Sequence, residues 1–456
     1  MDTTGEEAPT QRRSIMKIAL TSLSATTIEW YDFFAYGTAA ALVFPQLFFP
    51  EASPTVGALL SFSTFGVGFI GRPLGGVLFG HLGDKIGRKK TLVTVLVVMG
   101  IASTLIGLMP TYASIGILAA ILLTVLRLTQ GLAIGGQWGG ALLLIAENAP
   151  RGRRGFYSSF AQVGVPAGLI LGNVVFLIVA ATISEEAFAA WGWRVPFLLS
   201  LILIGIALYI ALRIEETLAF ERVRETHTEA RLPILDVFRT YPKGVALAAG
   251  ANIAITGTYY VMVTYLISYG TNTLGVSNSS MLTAVLISSV VTVPALMFFA
   301  ALSDRFGRRG VYMLGAVLTG LWAFPGFWLI DTGVVVLILI ASLVYQIFFS
   351  MMYGPQGALF SEMFGTRVRY SGASVGYQLG GLLGGALAPI IATSLFAATG
   401  TSASVAAYMA AICAITLVSV FLITETYQTD VEEDQAEERR LISEAESKEE
   451  AGGRSS

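Results

Sequence analysis

Long apolar stretches separated by short polar loops run along almost the whole chain. Twelve stretches recur, near 17–44, 56–80, 91–109, 115–146, 155–181, 192–213, 243–270, 279–302, 311–330, 333–360, 371–398 and 402–424. A helix of about 20 mostly apolar residues crosses the hydrocarbon of a bilayer. The pattern therefore predicts an all-α, multi-pass membrane protein of twelve transmembrane helices. Glycine and proline inside the stretches fit this reading, because neighbouring membrane helices satisfy the freed backbone groups.

The polar interruptions repeat. Residues 80–90 read GHLGDKIGRKK and residues 302–309 read LSDRFGRR, each between the second and third spans of its half. Asp84 and Asp304 stand at the same separation as Arg88 and Arg308. A second pair follows: ENAPRGRRGFYSSFAQVG after the fourth span, and EMFGTRVRYSGASVGYQLG after the tenth. Two six-helix halves are implied, 17–213 and 241–424, joined by a cytoplasmic linker at 214–240. An N-terminal segment 1–16 and an acidic tail 425–456, read as disordered or frayed helix, flank them. Duplicated halves about a pseudo-two-fold axis along the membrane normal place a substrate site at their interface, near mid-bilayer, and suit alternating access.

Charge sets the orientation. The loops after spans 1, 3, 7, 9 and 11 lack Lys and Arg, whereas the opposite set holds Arg12, Arg13, Lys85, Arg88, Lys89, Lys90, Arg151, Arg153, Arg154, Arg305, Arg308, Arg309, Arg367 and Arg369. Basic loops stay cytoplasmic, so both termini are expected inside, in a plasma (inner) membrane. Only 13% of residues are charged and 54% are hydrophobic, against roughly a quarter charged in soluble domains. A net charge of −2 offers no global attraction for nucleic acid. One cysteine, Cys413, excludes an internal disulfide, and His81 and His227 are too few and too far apart for a metal or nucleophilic site. No metal, cofactor or enzymatic activity is expected.

Within the spans the charged residues are Glu29, Asp32, Arg72 and Arg127, with Arg194 at an edge and Glu147 near a helix end. An ionisable side chain in hydrocarbon costs about 2.5–3.5 kcal/mol on insertion scales, so each needs a cavity or a partner. Glu29, Asp32 and Tyr36 share one helical stripe, as do Arg127, Gln130 and Gln137 or Trp138. A carboxyl facing an arginine across a cavity is a proton switch, since the cation favours the carboxylate and burial favours the acid. Asp32, Glu29 and Arg127 are the candidates for proton coupling. The competing role is a permanent ion pair that holds helices 1, 2 and 4 together, and Arg72 reads as such a structural partner. The second half carries no intramembrane charge and offers Asn252, Tyr259, Tyr260, Gln346, Tyr353, Gln356 and Gln378 instead.

Two arginines suit a carboxylate, which guanidinium binds bidentately. Trp30, Tyr31, Trp138, Tyr259 and Tyr260 suit an ammonium held by cation–π contact, and a zwitterion uses both. The substrate-binding candidates are Arg127, Gln130, Gln137, Trp138, Tyr36, Tyr259, Tyr353 and Gln356. The loop clusters read as gates: Asp84, Arg88, Glu147 and Arg151 in the first half, Asp304, Arg308, Glu362 and Arg367 in the second. There a carboxylate caps a helix or meets arginines of the facing half. Gly66-Val67-Gly68-Phe69-Ile70-Gly71 matches a dinucleotide fingerprint, but it follows no strand and reads as small residues for helix packing.

The sequence resembles the major facilitator superfamily and, within it, the metabolite:proton symporters. The resemblance rests on IEWYDFFAYG in the first span, GRPLGGVLFGHLGDKIGRKK at the second, RLTQGLAIGGQWGGA in the fourth, ENAPRGRRGFYSSF and WGWRVPF. Where the family usually reads Glu-Thr-Pro-x-Phe, this chain has Glu216-Thr217-Leu218-Ala219-Phe220. Gln137-Trp138 is similar to the branch that includes shikimate transporters; proline/betaine and oxoglutarate branches tend to carry Glu there. The resemblance implies the major facilitator fold and uptake of a small polar metabolite with protons, by a monomer in the bilayer, with the proton gradient in place of a cofactor. The alternatives are a proton-coupled exporter or antiporter, a uniporter, and a non-transporting membrane sensor.

Overall fold

A computed structural model describes residues 9–86, 88–135, 142, 145, 149–150, 152–213, 241–364 and 369–425. Those residues form long rods in chain order. The first half comprises α1 (Pro9–Leu42), α2 (Pro54–Ile86), α3 (Arg88–Leu108), α4 (Ile117–Ile134), α5 (Arg154–Thr182) and α6 (Val195–Arg213). The second comprises α7 (Pro242–Asn272), α8 (Asn278–Phe306), α9 (Arg308–Ile330), α10 (Val335–Glu362), α11 (Arg369–Gly380, continuing to Thr399) and α12 (Ala403–Leu422). Wider π-type turns interrupt α7 at Val261–Tyr265 and α11 at Gly381–Ala386. No strand occurs among the described residues.

The first rod begins at Pro9, eight residues before the expected start of the span, so helix extends into the segment read as an N-terminal arm. Its apolar pattern marks only the length in hydrocarbon, whereas a helix needs no apolar face where water is available. Proline lies inside α2, α5, α8, α9 and α10. Lipid-facing Ile121 and Val125 on α4, Val290 and Phe298 on α8, and Leu321 and Trp328 on α9 stay exposed. These apolar exposed faces are what a bilayer covers.

The halves pack alike. In the first, α1 lies on α5, α2 on α4 and α3 on α6; in the second, α7 lies on α11, α8 on α10 and α9 on α12. Glycines make the equivalent contacts. A Cβ on Gly164 would stand 2.5 Å from the Thr26 side chain of α1, and one on Gly380 would stand 2.5 Å from Asn252 of α7. Thus the repeated Gln-x-Gly of the sequence is a repeated helix crossing. The halves meet where α5 contacts α8 and α10, where α2 contacts α11, and where α1 contacts α7.

The fingerprint-like glycines are packing residues. A Cβ on Gly131 would lie 2.1 Å from the Gly68 carbonyl oxygen, and one on Gly75 would lie 1.8 Å from that of Leu132. Backbone therefore touches backbone where α2 crosses α4. The close crossing brings Arg72 and Arg127 toward α1.

Candidate functional site

Asp32 is 1% exposed and Arg127 is fully buried, yet no carboxylate pairs with Arg127 at ion-pair distance among the described residues. A relay of neutral groups stands between them. Arg127 Nη1 donates to Gln130 Oε1 at 3.0 Å, and Gln130 Nε2 donates to Ser103 Oγ at 2.7 Å. Ser103 in turn lies near enough to the Asp32 carboxyl to act on it. Ser200 of α6 donates to Asp32 Oδ1. Four helices of one half thus converge on one acid: α1 supplies it, α4 the cation, and α3 and α6 the hydroxyls.

The competing role of a permanent ion pair finds no such pair among the described residues, and Arg72, read as a structural partner in one, differs in the same way. It has no carboxylate at ion-pair distance among the described residues, although Glu29 acts on it electrostatically. Its guanidinium carbon instead lies over the rings of Phe33, Phe69 and Trp30, at 4.3, 4.5 and 4.9 Å. Arg127 lies over Phe33 and Tyr36, both at 4.2 Å, and over Phe65 at 4.9 Å. Ring quadrupoles attract a desolvated cation by about 2 kcal/mol or more, so aromatic faces do part of what water does elsewhere. Tyr36 is pinned by its hydroxyl, which donates to Thr64 at 2.7 Å.

Across the seam, Tyr260 of α7 packs on Phe33, Phe65 and Phe69, with centroids 5.9, 5.4 and 5.3 Å apart. Tyr259 meets Phe34 at 5.9 Å and stacks on Phe349 at 4.8 Å, and Tyr353 follows at 5.3 Å from Phe349. Gln356 Nε2 donates to Asn252 Oδ1, and Asn252 Nδ2 donates to the Tyr377 carbonyl, both at 2.7 Å. Gln356 therefore joins α10, α7 and α11, and its Oε1 stays unpartnered. The structure brings Glu29, Asp32, Arg127, Gln130, Tyr36 and Tyr259 to one central region. Gln137, Trp138, Glu147, Arg151 and Arg367 lie outside the described residues, as do the side chains of Asp84 and Arg88.

At the basic-loop end Asp304 crosses from one half to the other. Its Oδ1 accepts from Gly155 N at 2.9 Å and its Oδ2 from Phe156 N at 3.0 Å, at the start of α5. A helix N-terminus presents unpaired N–H groups and partial positive charge, so a carboxylate is held well there. The facing half supplies backbone amides; the arginine partner comes from Asp304's own half. Arg308 Nη1 holds Asp304 Oδ1 at 2.8 Å, while its Nε and Nη2 fork onto Glu362 at 2.8 Å each. Gly307, at φ 93°, makes the one-residue turn between α8 and α9 that aims both charges, a conformation that favours glycine.

Several participants carry no signal in the sequence. Ser103 and Ser200 are two serines among many. Glu425, the first residue assigned to the tail, accepts from Arg308 N at 3.0 Å and Arg309 N at 3.1 Å, capping α9. The repeated acidic clusters led to Asp304, but nothing local distinguishes a helix cap from a tail glutamate.

The profile of the Major Facilitator Superfamily matches residues 22–372 and 247–450. The chain belongs to the major facilitator superfamily. This member is 39% identical to the shikimate transporter of Escherichia coli K12 over 414 residues, covering 90% of this chain and 94% of that one. It is 38% identical to the inner membrane metabolite transport protein YhjE of the same organism, over 92% of this chain and 97% of the relative. It is 34% identical to the E. coli K12 proline/betaine transporter, over 90% and 84%. Among solved structures, the proton:xylose symporter XylE bound to 6-bromo-6-deoxy-D-glucose superposes with a TM-score of 0.74 at 20% identity, covering 93% of this chain and 99% of that one. The fold is the major facilitator fold, and the protein is a multi-pass membrane transporter of small molecules, not an enzyme.

Proposed function

We propose that this transporter imports a small carboxylate metabolite together with protons, by alternating access. The observation that carries the reading is Asp32: a buried acid flanked by the Ser103 and Ser200 hydroxyls and linked through Gln130 to Arg127. An acid without a paired cation in a low-dielectric bundle is costly unless its charge comes and goes with the carrier's cycle. Protonation would let the loaded bundle rock, and deprotonation on the far side would release the coupling ion. The proton gradient then drives the cycle without a cofactor, in a monomer of the plasma (inner) membrane with both termini cytoplasmic.

The basic-loop end would be the cytoplasmic end, with the Asp304–α5 contact holding it shut. Glu362 and Arg308 brace that contact.

The aromatic faces favour a carboxylate over a quaternary ammonium. Trp30, Phe33 and Phe69 already carry Arg72, and Tyr36 and Phe65 carry Arg127. A substrate ammonium would displace a guanidinium from those rings or do without them. Similarity to a shikimate transporter agrees with this choice.

Reconstituted vesicles, acidic outside, test the reading with labelled shikimate, citrate, oxoglutarate, proline and betaine. Accumulation of a carboxylate that collapses on adding an uncoupler is expected. Accumulation of betaine or proline alone overturns the choice of a carboxylate without an ammonium group; accumulation indifferent to uncoupler overturns proton coupling.

A further inference from the structure

Two buried arginines each keep one edge open. In both Arg72 and Arg127, Nε and Nη2 have no hydrogen-bond partner among the described residues. These nitrogens form the side of the guanidinium that binds a carboxylate with two parallel hydrogen bonds. This protein shows that geometry filled at Arg308, whose Nε and Nη2 hold the two oxygens of Glu362. Buried donors left unpaired are costly, and more so when charged. An open fork in a transporter's centre therefore points to a ligand.

We propose that Arg72, rather than Arg127, holds the substrate's carboxylate, through its Nε–Nη2 edge at the seam between the halves. The assignment rests on the carboxylate reading above. Location separates the two forks. Arg127 is enclosed within one half: Phe33, Tyr36 and Phe65 cover it, and Nη1 is committed to Gln130 and the path to Asp32. Its Nε looks at the backbone of α2, where a Cβ on Gly68 would stand only 2.7 Å away. Arg127 thus belongs to the proton site.

Arg72 faces the other half. Two of the rings that carry its guanidinium, Phe33 and Phe69, are packed directly by Tyr260 of α7. Trp30, Phe33 and Phe69 fix the plane of its guanidinium, so the fork is oriented before a ligand arrives. A carboxylate held there touches both halves, as alternating access requires of a central substrate. The site would take a compact monocarboxylate, with the Tyr260 ring of α7 beside it at the seam. Both guanidiniums lie over the same Phe33 ring, which places the substrate site next to the proton site without merging them.

Binding to the purified full-length protein tests the assignment, with shikimate, citrate, oxoglutarate and shikimate methyl ester as probes. Arg72→Lys keeps the charge but lacks the planar fork, and is expected to weaken binding of the preferred acid by about tenfold or more. The ester should bind the unsubstituted protein correspondingly weakly, and Arg72→Lys should weaken it no further. Arg127→Lys should hold the acid's affinity within about threefold while losing proton-driven accumulation. Should Arg72→Lys fail to fold, modification of the unsubstituted protein by phenylglyoxal, mapped by mass spectrometry, gives the answer: the acid, but not its ester, should slow the reaction at Arg72. Unchanged affinity in Arg72→Lys, or an equal modification rate with and without the acid, overturns the assignment alone. If the unsubstituted protein binds none of the three acids, the carboxylate reading falls and this assignment falls with it.

Discussion

The Asp32 carboxyl accepts from the Ser200 hydroxyl and, among the described residues, meets no cation at ion-pair distance, a set of neighbours that suits the proposed proton coupling. A direct salt bridge to Arg127 would hold the charge in place, because breaking a buried pair is strongly destabilising. With Gln130 and Ser103 between them, the acid can gain and lose a proton while Arg127 keeps its hydrogen bond. Asp32→Asn is therefore expected to abolish uphill accumulation in vesicles and to retain exchange of internal for external substrate, since the amide resembles the protonated acid. Uphill uptake at the normal level would remove Asp32 from the coupling role. The stripe of Glu29, Asp32 and Tyr36 was legible in the sequence, as were Arg127 and Gln130. The hydroxyls were not, because a serine's value here comes from which helix it faces.

Helix crossings decide how close the charges come. Gly68 and Gly71 on α2 meet Gly131 on α4, and Gly75 meets Leu132, with backbone against backbone; a Cβ on Gly135, just past α4, would lie 1.8 Å from the Arg72 carbonyl oxygen. Gly131→Leu is expected to force the rods apart and to destabilise the bundle by about 1–3 kcal/mol or more. A lowered Tm in detergent, with weaker uptake, reads this out. Gly205→Leu, whose added Cβ meets nothing within 4 Å, is the control and should leave Tm unchanged. An equal Tm for the two variants counts against the packing account. Spans and their small residues were readable from hydropathy and composition. The register at which α2 crosses α4 was not, since many glycines in one helix fit many glycines in another.

The two halves close against each other at the basic-loop end through Asp304, and Gly155 makes room for it. A Cβ there would stand 2.7 Å from the Ala300 carbonyl oxygen, 2.8 Å from Asp304 Oδ1 and 2.9 Å from Arg308 Nη1. Gly155→Val should therefore disfavour the closed state and shift the population toward opening at that end. A cysteine placed at Ser158, with Cys413→Ala to clear the background, should react with a water-soluble maleimide about fivefold faster or more when Gly155→Val is added. An unchanged rate would show that the contact does not control closure.

The chain's own sequence determined the apolar rods, the duplicated halves, the four intramembrane charges and the clustering of basic residues in alternate loops. Each is a local property: hydrocarbon length, a repeated motif or an expensive charge can be counted along the chain. Tertiary structure alone decided that Arg72 lies over Trp30, Phe33 and Phe69 while Arg127 is tied to Gln130, that Ser200 donates to Asp32, and that Glu425 caps α9. Those outcomes depend on the angle and register at which rods cross. Crossings are set by backbone contacts between residues far apart in sequence, so no window along the chain contains them.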